Sequence, residues 1–187
     1  MQPAELVALL SEAARASDPM AAVRGVLESL KDDLDAVQRA LAYLPGTGGN
    51  ANQAFYRASD LSLLKVSFPN GRRTPPHNHG TWATILLLSG REKNTLYRRE
   101  PDGSLRRVSE VVLEPGSILP MRAEAVHVAE GLGDQPAIGL HVYGANVLGV
   151  ARSMWDPDTL EEHALDWGRY EELAQRATRA DSAPLAA

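Results

Sequence analysis

The sequence predicts a mainly β sandwich or barrel with helical segments before and after it. Two observations carry this. Between about residues 55 and 150 lie short runs rich in Val, Ile, Leu and Tyr, separated by turn signals. Outside that region the apolar residues fall at helical spacing instead. A chain of 187 residues, 44% hydrophobic and 23% charged, fits one globular domain, 1–187, with a core of ordinary size.

Residues 1–45 read as helical. Leu6, Leu9, Leu10 and Ala13 recur at helical intervals, and Asp18-Pro19 reads as an N-cap followed by proline at the first helical position. Val23, Val26, Leu27 and Leu30 form an apolar stripe, continued by Leu34, Val37, Leu41 and Leu44. The stretch Pro45-Gly46-Thr47-Gly48-Gly49-Asn50 should break the helix. The strand candidates are Leu61–Phe68, Trp82–Leu88, Glu92–Arg99, Arg107–Leu113, Ser117–Pro120, Ala125–Glu130 and Ala137–Tyr143. Turns between them are marked by Pro69-Asn70-Gly71, Ser89-Gly90, Pro101-Asp102-Gly103, Pro115-Gly116 and Gly131-Leu132-Gly133-Asp134. A second Asp-Pro, Asp156-Pro157, reads as the start of a C-terminal helical segment, 156–179, and residues 181–187 as a small-residue tail.

Composition narrows the function classes. A net charge of −5 gives no electrostatic reason for a nucleic-acid partner. The N-terminal helices, with Asp32, Asp33 and Asp35 clustered, are too acidic to read DNA phosphates. The chain has no cysteine, which removes disulfides, thiolate metal sites and cysteine nucleophiles. No apolar run reaches membrane-spanning length, and Met1-Gln2-Pro3-Ala4-Glu5 lacks the pattern of a signal peptide, so a cytoplasmic protein is expected. No phosphate-binding glycine loop, paired-carboxylate site or Ser/His/Asp triad is visible.

The chemistry concentrates in Thr74-Pro75-Pro76-His77-Asn78-His79-Gly80. In extended backbone, residues two apart point to the same face, so the two imidazoles aim at one point. His127, in the apolar run Ala125–Val128, is a third candidate, and four of the five histidines lie between residues 77 and 141. Three convergent imidazoles make a first-row metal site, though imidazole suits Fe, Zn, Cu and Ni alike. A hydrogen-bonded core histidine is the plainer alternative for any one of them. The window after the second histidine, Gly80-Thr81-Trp82-Ala83-Thr84-Ile85, holds no carboxylate. Three neutral ligands leave a divalent ion its full charge, free to accept an anionic donor such as a thiolate or enolate.

These residues resemble a known family. Gly71-x5-His77-x-His79, Gly90, Pro115-Gly116 and His127 resemble the two motifs of the cupin double-stranded β-helix (jelly-roll) barrel. Gly139-Leu140-His141-Val142-Tyr143 adds a similarity to the bacterial cysteine dioxygenase-like thiol dioxygenases, over roughly Tyr56 to Trp155. The resemblance implies Fe(II) held by His77, His79 and His127, with Tyr143 and His141 as the catalytic outer pair. It also implies an arginine for the substrate carboxylate. Arg57 is the best match for it, with Arg72, Arg73 and Arg122 as rivals. Two departures are visible. Gly139 stands where the family's serine would support His141, and Thr84 stands where some members have the cysteine of a thioether crosslink.

The expected activity is therefore addition of dioxygen to the sulfur of a small thiol, by a monomer or homodimer that binds neither nucleic acid nor membrane. Two alternatives stay open on the same fold: a three-histidine metalloenzyme acting on a non-thiol substrate, and a metal-containing binding module without catalysis. Trp82 could wall the pocket or be plain core. Met154 and Trp155 should pack on the barrel, and His163 should sit solvated on a helix.

Overall fold

The computed structural model describes residues 1–42 and 52–182; the expected break at Pro45–Asn50 and residues 183–187 lie outside that range. The elements in chain order are helices α1 (Pro3–Ala13) and α2 (Pro19–Leu30), a 3-10 turn (Lys31–Asp33), and α3 (Leu34–Ala42). Ten strands follow: β1 (Asn52–Arg57), β2 (Ser62–Phe68), β3 (Ala83–Ser89), β4 (Arg91–Arg99), β5 (Leu105–Leu113), β6 (Ile118–Met121), β7 (Val126–Leu132), β8 (Ala137–Tyr143), β9 (Ser153–Trp155) and β10 (Glu162–Ala164). Helix α4 (Trp167–Ser182) closes the described chain.

One sheet has the order β1-β2-β8-β3-β6 and the other β5-β4-β7, with every pairing between these strands antiparallel. The two sheets face each other as a double-stranded β-barrel, so the chain is mainly β with N-terminal helices and a C-terminal helix. Residues 70–77 run beside β7 through isolated bridges, and His77 also bridges Met154 of β9. The β9–β10 pair thereby extends the wall formed by β7 and β4.

β3 explains its own apolar sequence. Alternate side chains point to opposite faces, and here both faces are covered. Ala83, Ile85 and Leu87 enter the barrel interior with Val66, Phe68 and Met121. Leu86 and Leu88 point outward with Leu63, Leu140 and Val142 to meet Leu6, Leu10, Leu27, Val37 and Leu41 of the helices. A side chain buried as fully as Leu86 or Leu27 contributes about 1.5–3 kcal/mol. The N-terminal stripe is thus the cover for one sheet face. Asp18 does cap α2, its Oδ1 accepting from the Ala21 amide at 3.1 Å. Trp82 is half-buried on this outer side, packed against the same cluster.

The C-terminal expectation needs correction. Residues 156–179 are not one helix. Asp156 Oδ1 accepts from the amides of Asp158 (2.9 Å) and Thr159 (3.2 Å), which is the geometry of a turn. The Asp156 amide donates to Glu161 O at 3.0 Å, Leu160 takes a left-handed φ of 58°, and the chain folds back as β10 on β9. The helix starts eleven residues later, where Asp166 Oδ1 accepts from the Arg169 amide. Aspartate satisfies either role with the same oxygen, and here the turn prevails at Asp156. His163 accordingly lies on β10, half-buried, with Nε2 2.9 Å from Arg169 Nη2. Met154 and Trp155 are buried, Trp155 against Leu105 and Val126.

Candidate metal centre

Reciprocal backbone bonds set the first constraint: the His77 amide donates to His127 O and the His127 amide to His77 O, both at 3.0 Å. On the other side the Trp155 amide donates to Pro76 O at 2.8 Å and the Asn78 amide to Ser153 O at 3.1 Å. The H-x-H segment is therefore held between β7 and β9. Gly80 ends it with a φ of 65°, and a Cβ there would lie 2.4 Å from Ala151 O. No side chain fits that close approach.

The three rings converge. Centroids lie 5.3 Å apart for His77 and His79, 4.6 Å for His77 and His127, and 4.9 Å for His79 and His127. One ligand atom from each falls within 4.8 Å of the others, and all three residues are buried. His77 Nδ1 donates to Pro75 O at 3.0 Å, which leaves Nε2 with its lone pair. His127 Nδ1 lies 2.7 Å from Asn94 Oδ1, while His127 Nε2 and His79 Nε2 face each other at 3.2 Å. Burial, with smaller contributions from neighbouring positive charge, drives all three basicities down: His127 to about 3, His77 and His79 well below the ordinary 6.5. Neutral imidazoles with facing nitrogens fit a divalent cation.

The site opens into a cavity of about 500 Å³ whose wall includes the three histidines, His141 and Tyr143. His141 and Tyr143 stand two apart on β8 and point inward, with His141 Nδ1 3.1 Å from the Tyr143 hydroxyl. The Tyr143 ring meets His79 edge-on at 5.2 Å. Burial raises the Tyr143 hydroxyl well above its ordinary value and lowers His141 to about 3. Both groups stay neutral, the phenol as a proton donor. His141 Nε2 is buried without a partner. A Cβ on Gly139 would sit 3.1 Å from that nitrogen, so the position where the resembled family has its serine lies beside the unpartnered atom.

The arginines separate by depth. Arg57 lies at the mouth of the cavity and is exposed. Arg72 also lines it and pairs with Glu171 of α4 at 2.7 Å. Arg73 is drawn toward Glu130, at 3.9 Å, and Arg122 is exposed. Arg152, not singled out from the sequence, reaches further in. Its Nε donates to Asn78 O at 3.1 Å, its guanidinium lies 5.5 Å from the Trp167 ring centroid, and its charge bears on His77, His79, His127 and Tyr143. Tyr170 of α4 sits edge-on to His77 at 5.5 Å, its hydroxyl raised to about 12 by burial. Arg152, Trp167 and Tyr170 reach the site from a segment whose contact with the H-x-H loop is long-range, and local sequence carries little signal of it. An arginine two residues ahead of the buried Met154-Trp155 pair is the one available hint.

No protein-family model matches the sequence. Among solved structures, the chain is similar to the DMSP lyase DddQ of Ruegeria pomeroyi DSS-3 at 20% identity. That match covers 54% of this chain and 46% of the other, under half its length, with a TM-score of 0.43. It is similar at 18% identity to an uncharacterized conserved protein with a double-stranded β-helix domain from Klebsiella pneumoniae, covering 59% and 82%, with a TM-score of 0.44. Hydroquinone 1,2-dioxygenase from Sphingomonas sp. TTNP3, with 4-hydroxybenzoate bound, matches at 13% identity over 56% and 72%, also with a TM-score of 0.44.

Proposed function

We propose that this protein is a mononuclear non-haem Fe(II) thiol dioxygenase acting on a small carboxylated thiol such as cysteine or 3-mercaptopropionate. The observation that carries the proposal is one cavity joining three neutral, convergent imidazoles, the Tyr143–His141 pair and the half-buried Arg152. The reaction balances without an external reductant. Both oxygen atoms of O2 join the sulfur, which loses four electrons as dioxygen gains four, and the product is a sulfinate.

His77, His79 and His127 would hold the metal through Nε2, the atom left free on His77 by Pro75 O. Fe(II), when bound, supplies the redox chemistry that joins sulfur to dioxygen. The chain supplies placement. Arg152 offers a planar, desolvated cation to a carboxylate, and Trp167 beneath it restrains its orientation. Its depth makes it a better candidate for that role than Arg57. Tyr143, kept protonated by burial, donates a hydrogen bond into the cavity, and His141 fixes the direction of that hydroxyl. Trp167 and Tyr170 bring α4 over the site and limit water entry.

The test is oxygen uptake by protein loaded anaerobically with Fe(II), across a panel of thiols, with iron measured on the same sample. Uptake proportional to iron, with sulfinate as product, is expected. Iron at one per chain with no uptake on any thiol would sink the proposal. A second reading is favoured by the cavity itself: about 500 Å³, walled in part by Leu64, Val66 and Phe68, is roomy for a small thiol. On that reading the same centre acts on a larger non-thiol substrate, as a carbon–carbon cleaving dioxygenase, and uptake would appear with such a substrate alone.

A further inference from the structure

Behind His127 the barrel buries a carboxyl group that neither fold nor catalysis has so far required. Glu92 lies on β4, fully buried, with no cationic partner among the described residues. One carboxylate oxygen, Oε1, accepts from Asn94 Nδ2 at 2.8 Å, and the other, Oε2, has no partner. Burying an acid with half its acceptors unmet is costly, and methionine or leucine would fill the space at less cost. Its one hydrogen-bonded link leads to the candidate ligands, because Asn94 Oδ1 lies 2.7 Å from His127 Nδ1.

We propose that Glu92 is a positioning residue for the metal centre: through Asn94 it fixes the tautomer of His127 so that Nε2 presents its lone pair to the metal. This rests on the reading of His77, His79 and His127 as ligands. The argument is one of obligate roles. Above the value of about 7 to which burial raises it, the carboxyl is ionised and only accepts, so at pH 8 Asn94 must turn its NH2 toward Glu92 and its oxygen toward His127. An amide oxygen also only accepts, so His127 must carry its proton on Nδ1. Nε2 is then bare where it faces His79 Nε2 at 3.2 Å. Without Glu92 the Asn94 amide is free to turn over. It would then offer N–H to Nδ1 and move the imidazole proton onto Nε2, the metal side. β4 supplies both groups from one face, two residues apart, and β7, paired beside it, supplies the histidine. The arrangement sets the donor atom by a chain of two side chains rather than by one backbone carbonyl, as His77 does with Pro75.

The experiment compares the wild type, Glu92→Gln, and the exchange Glu92→Gln with Asn94→Asp. Glutamine keeps the volume of Glu92 but presents either an acceptor or a donor, and in the exchange aspartate accepts directly from His127. Two quantities are read at pH 8, where Glu92 is ionised: the imidazole 15N shifts of His127 in metal-free protein, and Co(II) affinity by competition. The wild type should carry the His127 proton on Nδ1. Glu92→Gln should show both tautomers and bind Co(II) about tenfold more weakly. The exchange should return the single tautomer and come within about threefold of wild-type affinity. A wild-type proton on Nε2, or Glu92→Gln with a single Nδ1–H tautomer and unchanged affinity, overturns the proposal. A wild type that takes up no Co(II) overturns the metal reading on which it rests, an outcome set apart because the 15N assignment needs no metal.

Discussion

The backbones of His77 and His127 hydrogen-bond each other in both directions at 3.0 Å, although fifty positions separate them in the chain. The H-x-H segment and β7 are bolted together at the residues whose side chains meet. Removing one imidazole therefore leaves the bolt in place. His127→Ala should keep its circular dichroism spectrum while metal content falls from one per chain to nearly none, as read by elemental analysis after loading and desalting. Full occupancy in that variant would refute the ligand set.

Gly139 gives a second prediction. A methyl group there arrives 3.1 Å from His141 Nε2, closer than an ordinary carbon contact, so the ring must shift and carry its bond to Tyr143 with it. Gly139→Ala should bind metal normally and lose turnover. Tyr143→Phe should do likewise, by about a hundredfold in kcat if the hydroxyl acts as proton donor. Steady-state kinetics at matched iron content would decide. Wild-type kcat in both variants would remove β8 from the mechanism.

The two arginines can be ranked. Arg152→Gln should lower kcat/KM for carboxylated thiols about 10- to 100-fold, the worth of a charge-assisted hydrogen bond in a desolvated setting. It should cost far less with a thiol lacking the carboxylate. Arg57→Gln, altering an exposed rim residue, should stay within about threefold of wild type on both. The reverse ranking would return the substrate role to Arg57.

Glu92 makes the metal-free protein less stable at neutral than at mildly acid pH. Burial raises its carboxyl from 4.5 to about 7, so between those values the folded state holds a proton that the unfolded state has released. The sign follows: stability is highest below pH 4.5 as far as this group is concerned, and falls as pH rises to about 7. The rise corresponds to about 3 kcal/mol at most. Glu92→Gln should remove that slope, gaining stability at pH 8 and little at pH 5. Urea unfolding of metal-free protein at the two pH values measures it. Equal gains at both would mean that packing, not ionisation, is responsible.

Much of the barrel was legible because its strands obey local rules. β2 to β8 were bounded by turn residues, and the period-2 pattern of β3 gave way to a continuous apolar run for a physical reason, burial on both faces. What failed was competition between equal local signals. Asp18-Pro19 and Asp156-Pro157 look alike in sequence, yet one caps a helix and the other closes a turn. β1, β9 and β10 carry little local signal because short strands acquire their identity from partners elsewhere in the chain. The same holds at the site. The convergence of His77 and His79 follows from their spacing, and the resemblance adds His127 as the third, whereas Arg152, Tyr170 and the Glu92–Asn94 link depend on which surfaces fold together. The resemblance points to Arg57, which lines the same cavity as the more deeply set Arg152.

The bridge from His77 to both His127 and Met154 has a consequence for how the protein would be assembled. In an unfolded chain only His77 and His79 are near each other, a bidentate pair with weak hold on any ion. The third ligand arrives after fifty residues of intervening chain have been closed into a loop. A metal that prefers the three-ligand site thus favours the finished barrel over every incomplete one. At free metal a hundred times its dissociation constant that preference is worth about 2.7 kcal/mol. The ion would then serve as a late-stage fastener, and depletion of metal in a growing cell would lower the amount of protein as well as its activity.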